Sequence, residues 1–295
     1  MLAAALIGAG GPGSAVADPA TSVRTAGFVG SAPTKILVVI EENHSYAQMK
    51  SGMPFLYRLS KKYGYATHYT AITHPSEPNY LAIAGGSTFG VTDDSAPSAH
   101  YALTGTKRSV FDQALDAGKT AHTYAESMPD ACHVWDYPDK SVAHPRYAVR
   151  HNPWVYFKSG RSACNAHETG RAPFLADAAA NRLPNVGFLL PNLFHDAHDG
   201  SLRTADTWLS HYLAPVLSSS DFTRGRLVVV VTADEDDKSS GNTVLTSVLT
   251  PRLSHKVVTS HLTHYSLNRY IAHVLGVPAV RHGATAPDLR AAFGL

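Results

Sequence analysis

The run GRLVVVVTADEDD, residues 225–237, constrains the fold more than any other stretch of the chain. Its valines are β-branched and favour extended backbone. It shows no alternation of apolar and polar residues, so neither face can meet water. Such a strand belongs inside a sheet covered on both sides, the usual setting of parallel strands. The run then breaks abruptly into Asp234, Glu235, Asp236 and Asp237. A second run, KILVVIE (35–41), has the same character and leads into Glu42, Asn43 and His44.

The remaining periodicity alternates with these strands. MPFLYRLSKKYG (53–64) has helical spacing and a closing glycine. NYLAIAGG (79–86) predicts a helix stopped by glycines. SVFDQALDAGKTAHTYAES (109–127) predicts helix, glycine stop and strand. LPNVGFLLP (183–191) and NTVLTSVLT (242–250) predict strands. TADTWLSHYLAPVL (204–217) and THYSLNRYIAHVLG (263–276) predict helices. Strands alternating with helices define an α/β fold, a central mostly parallel sheet flanked by helices on both faces. Residues 35–295 are expected to form one domain, with an irregular insertion around 128–182.

Charge and cysteine content narrow the function. The net charge is +2 and no long basic block exists, so no nucleic-acid partner is indicated. MLAAALIGAGGPGSAVADPA is small and apolar and carries Ala15 and Ala17 around Val16, an A-x-A cleavage pattern. Residues 1–17 are therefore expected to be the remnant of a signal peptide, 18–34 a flexible segment, and the protein secreted. The basic start of a signal peptide is missing. No later apolar run is long enough to span a membrane. Two cysteines in an exported chain suggest one disulfide, Cys132 to Cys164, closing the insertion. Two free buried thiols are the alternative, and no C-x-x-C spacing suggests zinc.

In open α/β sheets, sites form where strands end at their carboxyl edge. Three polar stretches follow strands here: EENHSY (41–46), HDAHDGS (195–201) and DEDD (234–237). Singly, each has an ordinary explanation: a helix cap, a glycine turn and a solvated acidic turn. Together they would crowd carboxylates at one edge, which is unfavourable unless a cation neutralises them. The stretch THPSEPNYLAIAGG (73–86) adds Ser76 at a helix start. There it serves either as an N-cap or as a nucleophile beside an anion site.

Six stretches, in order, cover roughly residues 35 to 280: VVIEENHSY, THPSEPNYLAIAGG, YAVRHNPWVYF, PNLFHDAHDGS, VVVVTADEDD and SHLTHYSLNRYI. As a set they resemble the phosphoesterase family of bacterial acid phosphatases and phospholipases C, within the alkaline phosphatase superfamily. The resemblance implies an alkaline-phosphatase-like fold and a secreted acid phosphatase, acting on phosphomonoesters through a phosphoserine at Ser76. It implies metal ligands Glu42, Asn43, Asp234 and Glu235, completed by Ser76. Oxygen ligands suit one hard divalent cation, Mg, Ca or Mn, better than zinc. The histidine that two-zinc members place after the last aspartate is Glu235 here, which speaks for one metal. His198 and His264 are expected as proton donors, since histidine titrates near neutrality. Asn79, His74, Asp199 and His151 are expected to bind substrate, with Asp196 beside them. His151 fits a structural loop histidine equally well. A phosphoinositide headgroup such as that of phosphatidylinositol 3-phosphate is a candidate substrate, and a monomer is expected. The alternatives are a phospholipase C-like diesterase or an inactive secreted binding protein.

Overall fold

The structure is a computed structural model describing residues 1–2, 4–5, 32–138 and 146–295. The expected signal remnant and flexible segment fall almost wholly outside the described residues.

An eight-stranded sheet forms the centre, with strand order β5-β4-β6-β1-β7-β8-β2-β9. Its strands are β1 (Lys35–Glu41), β2 (Gly64–Ala66), β4 (Ala121–Ala125), β5 (Glu168–Gly170), β6 (Val186–Leu190), β7 (Leu227–Ala233), β8 (Thr246–Leu249) and β9 (Lys256–Val258). β3 (Tyr69–Thr70) and β10 (Leu262–Thr263) form a separate two-stranded ladder. Of the eight, β8 alone runs antiparallel to its neighbours. Every residue of β7, and all of β1 after Lys35, is buried. Successive side chains point to opposite faces, so both faces are covered, as the unbroken valine run requires.

Two groups of helices supply that cover. Ser76–Gly85, Val110–Asp116 and His264–Leu275 pack together, the last also against β1. Pro54–Lys62, Phe174–Ala179 and Leu202–Ser218 form the other group. The helix Pro54–Lys62 begins with Met53, which offers no side-chain cap. Asp206 replaces the cap from the neighbouring helix, accepting from Phe55 N at 2.8 Å and Leu56 N at 2.9 Å.

The described residues of the insertion, 128–138 and 146–182, form several short elements. They include short 3-10 turns, the helix Arg161–His167, the edge strand β5 and the helix Phe174–Ala179. These elements are too short to show a period. Cys132 and Cys164 are joined in the expected disulfide. No helix among the described residues is long and apolar enough to cross a membrane.

Candidate active site

The pairing of β1 with β7 builds the site. Glu41 lies opposite Ala233, and Asp234 N donates to Glu41 O at 3.1 Å. Glu42 and Asn43 therefore leave the sheet beside Asp234. Glu41 is fully buried with neither carboxyl oxygen hydrogen-bonded; burial, then Asp196 and Asp206, push its pKa well up.

Ser76 is the first residue of its helix and not its cap; the N-cap position is Pro75, without a side-chain bond. The hydroxyl is thus spared from backbone capping. It donates to Glu42 Oε2 at 3.1 Å, with Asp234 close by. One turn on, Tyr80 Oη donates to Glu42 Oε1 at 2.6 Å. Asn43 N approaches Asp234 Oδ1 at 3.4 Å. Asn43 adopts φ 34°, a left-handed conformation that asparagine tolerates better than most residues.

The electrostatics of this cluster are unfavourable as they stand. Glu42 and Asp234 are both fully buried. Burial raises the pKa of each, and like charge raises it further: Asp234 and Asp196 act on Glu42, Glu235 on Asp234. Glu235 is pushed up to about 8, again by burial first and then by Asp94. Asn43 Oδ1 and Asp234 Oδ2 are buried without a hydrogen-bond partner. Oxygen atoms left unsatisfied among crowded carboxylates are the donor set of a hard cation, so these residues fit the metal that the sequence implies. A second cluster of ligand types, Cys132, Cys164 and Glu168, is no such site, because its sulfurs form the disulfide.

The histidines occupy distinct positions. His151 is buried between carboxylates, Nε2 3.3 Å from Glu42 Oε1 and Nδ1 3.3 Å from Asp196 Oδ2. Its ring stacks on Tyr80, centroids 5.1 Å apart. Burial, then Arg150 and His198, push its pKa well down. His198 Nδ1 lies 2.8 Å from Asp199 Oδ1, and its Nε2 is 3.3 Å from Arg150 Nη2. A guanidinium can only donate, so Nε2 accepts and the proton sits on Nδ1, facing Asp199. His74 reaches Glu235 Oε2 at 3.0 Å and Asp236 Oδ1 at 3.3 Å. Asp236 also accepts from Lys238 N, Ser240 N and Asn242 N, which shapes the turn after β7, while Asp237 is exposed. Half of DEDD thus enters the cluster and half makes a turn.

Two of the nominated residues sit in supporting positions. His264 is fully buried with both nitrogens engaged, Nε2 at 2.5 Å from Asp234 O and Nδ1 at 3.0 Å from Tyr69 Oη. Burial lowers its pKa to about 4. Asn79 accepts from Ile72 N and Thr73 N, and donates to Thr73 O, Pro75 O and Glu235 Oε2. Its amide holds the loop before Ser76.

Tyr80, Arg150 and Asp94 belong to the site but were not singled out from the sequence. Asp94 Oδ1 accepts from Glu77 N at 2.9 Å, at the helix start next to Ser76. Tyr80 lies four residues after Ser76, the spacing of one helix face, and that signal could have found it. Arg150 precedes His151 in an irregular stretch, where no periodicity points to it.

The fold, a mostly parallel sheet flanked by helices, is alkaline-phosphatase-like. The chain belongs to the Phosphoesterase family, which matches residues 49–278. It is 31% identical over 264 residues to the phosphatidylinositol-3-phosphatase of Mycobacterium tuberculosis, covering 88% of this chain and 82% of that relative. It is 31% identical over 234 residues to the phosphate-repressible acid phosphatase of Penicillium chrysogenum, covering 76% of this chain and 55% of the fungal one. Among solved structures, an alkaline phosphatase superfamily protein from Vibrio parahaemolyticus superposes with a TM-score of 0.56 at 10% identity, covering 85% of this chain and 68% of that one. That likeness concerns the fold alone.

Proposed function

We propose that the chain is an acid phosphatase, a phosphoric monoester hydrolase in which Ser76 attacks the phosphorus and is transiently phosphorylated. The observation that carries this reading is the Ser76 hydroxyl. It is buried at the start of a helix, unused by the backbone, and donates to Glu42 beside the unsatisfied oxygens of Asn43 and Asp234. Glu42, Asn43, Asp234 and Ser76, with Glu235 adjoining, would hold one hard divalent cation. Bound there, the cation neutralises the carboxylates and favours the serine alkoxide.

The chain's own groups do the rest. Glu42 Oε2 orients the Ser76 proton, and Tyr80 fixes Glu42 from its other oxygen. The helix N-terminus adds positive potential at the attacking oxygen. Arg150 is the cation available to a phosphate oxygen, and the charge of the phosphoryl group suits its planar fork. We assign His198, partly exposed beside Arg150 and held at Nδ1 by Asp199, as the proton donor to the leaving oxygen. His74 and Asp199 line the approach as substrate-binding residues. His151 lies between Glu42 and Asp196, and His264 and Asn79 act as positioning residues. The relative named for phosphatidylinositol 3-phosphate supports a phosphoinositide as a substrate. The disulfide supports export.

The test is release of inorganic phosphate from a soluble phosphomonoester at mildly acidic pH, by wild type and Ser76→Ala side by side. Loss of about three orders of magnitude or more in the mutant supports the nucleophile. Equal activity removes Ser76 from the mechanism, and inactivity of both proteins removes the phosphatase reading.

A further inference from the structure

Asp94 sits on two groups that a phosphoryl oxygen would use. Glu77 N, in the first turn of the Ser76 helix, donates to Asp94 Oδ1 at 2.9 Å. Asp94 Oδ2 lies 3.8 Å from Arg150 Nε. The side chains of Asp94 and Arg150 are 32% and 17% exposed, so an incoming anion meets both. The charge of Asp94 also reaches Glu235, whose pKa it raises second only to burial. A carboxylate that accepts from a helix N–H and faces a guanidinium makes the contacts of a bound phosphate oxygen.

The segment carrying Asp94 is fixed on both sides. Asp93 Oδ1 accepts from Ser95 N at 2.8 Å and lies 3.2 Å from His100 Nε2. His100 Nδ1 is 2.8 Å from Glu77 Oε1, so the ring links Asp93 to the residue after Ser76. Tyr156 Oη donates to Ser95 O at 3.2 Å. Asp94 is therefore placed beside the nucleophile by its neighbours and not by Arg150. The 3.8 Å gap to Arg150 exceeds hydrogen-bond length, so the carboxylate attracts the guanidinium without fixing its direction. A carboxylate that served to aim the arginine would hold it through a short two-point contact. The remaining relationship is rivalry: phosphate and Asp94 carry like charge and seek the same donors.

We infer that Asp94 is a built-in competitor for phosphate. It holds the Glu77 N–H and draws on Arg150, yields both to a phosphoryl group, and so weakens the grip on the product phosphate. This rests on the phosphatase reading and deepens it by naming a residue that governs product release.

The test uses inorganic phosphate as inhibitor and as ligand, with Mn²⁺-loaded protein. Asp94→Asn keeps an acceptor for Glu77 N and removes the charge. Its inhibition constant for phosphate, against a soluble phosphomonoester, should fall about tenfold. Asp94→Glu keeps the charge and should stay near wild type. Calorimetry on Ser76→Ala protein gives a readout free of turnover: adding Asp94→Asn should tighten phosphate binding by a similar factor. That gain should shrink at high salt, because it comes from charge. Unchanged or weaker phosphate binding with Asp94→Asn would overturn the competitor, and weaker binding would show that Asp94 aims Arg150 instead. Equal shifts in the Asn and Glu variants would also overturn it, since shape and not charge would then matter. If Ser76→Ala still releases phosphate, the nucleophile falls while calorimetry still decides Asp94.

Discussion

Tyr80 Oη donates to Glu42 Oε1 at 2.6 Å, while Ser76 Oγ donates to Glu42 Oε2 at 3.1 Å. One carboxylate, at the end of a central strand, is therefore held by two hydroxyls from successive turns of one helix. The helix and the strand are bound into a single unit at the point where the nucleophile sits. The Tyr80 ring also stacks on His151.

Tyr80→Phe keeps that stacked ring and removes only the donor. The freed Glu42 oxygen should rotate and weaken the cation site. A loss of about tenfold in metal affinity is expected, as for other groups that orient a ligand, with a fall in kcat and little change in KM. Calorimetric titration with Mn²⁺, run beside steady-state kinetics, checks this. Unaltered affinity would leave Tyr80 a packing residue.

Much of this arrangement is legible in the sequence. β1 and β7 announce themselves because an unbroken β-branched run has few other places to go, and the polar stretches 41–44 and 234–237 follow from where those strands stop; the choice of Glu42, Asn43, Asp234 and Glu235 within them comes from the family resemblance. The disulfide is legible because the chain has two cysteines and a start that reads as a signal remnant. β2, β5 and β9 are not legible, because three residues carry no period. The reversal of β8 is hidden for another reason: a buried antiparallel strand has the same composition as a parallel one. Arg150 is invisible because its value comes from His198 and Asp94, which reach it only in the folded chain.

Removing the metal should stop turnover. After exhaustive chelation, phosphate release is expected to vanish and to return with Mg²⁺, Ca²⁺ or Mn²⁺ more readily than with Zn²⁺. Asp234→Asn should fail to recover with any of them. The same substitution should raise the melting temperature of the chelated protein, because it removes one of the crowded buried carboxylates. Recovery by zinc alone would contradict the oxygen-ligand assignment. A destabilised chelated mutant would contradict the repulsion.

The disulfide spans 32 positions and encloses Arg150 and His151. Chain-entropy arguments put its contribution at about 4 kcal/mol. Replacing both cysteines by serine should lower the urea midpoint accordingly. It should also raise KM more than it lowers kcat, since the loop supplies Arg150 but not Ser76. A fall in kcat alone would place the loop's role in the chemical step instead.

Glu168 supplies a pH dependence away from the catalytic cluster. Its carboxyl is fully buried beside the disulfide and accepts from Asn152 Nδ2 at 3.0 Å. Burial raises its pKa from 4.5 to about 8, against the lowering effect of its hydrogen bond to Asn152. The folded state therefore binds a proton that the unfolded state has already released between those values. Stability from this group is fully present below pH 4.5 and declines as pH rises toward 8. Above that point the protein carries a buried charge costing on the order of a few kcal/mol. Glu168→Gln preserves the amide partner and does not titrate. Its melting temperature should fall less than that of wild type between pH 5 and pH 8, by several degrees at the upper end (roughly, for a domain of this size). The pH-dependent difference should level off in acid, where both side chains are neutral. Parallel profiles for the two proteins across that range would show that Glu168 is already ionised in the fold and that Arg161, which lowers its pKa, outweighs burial.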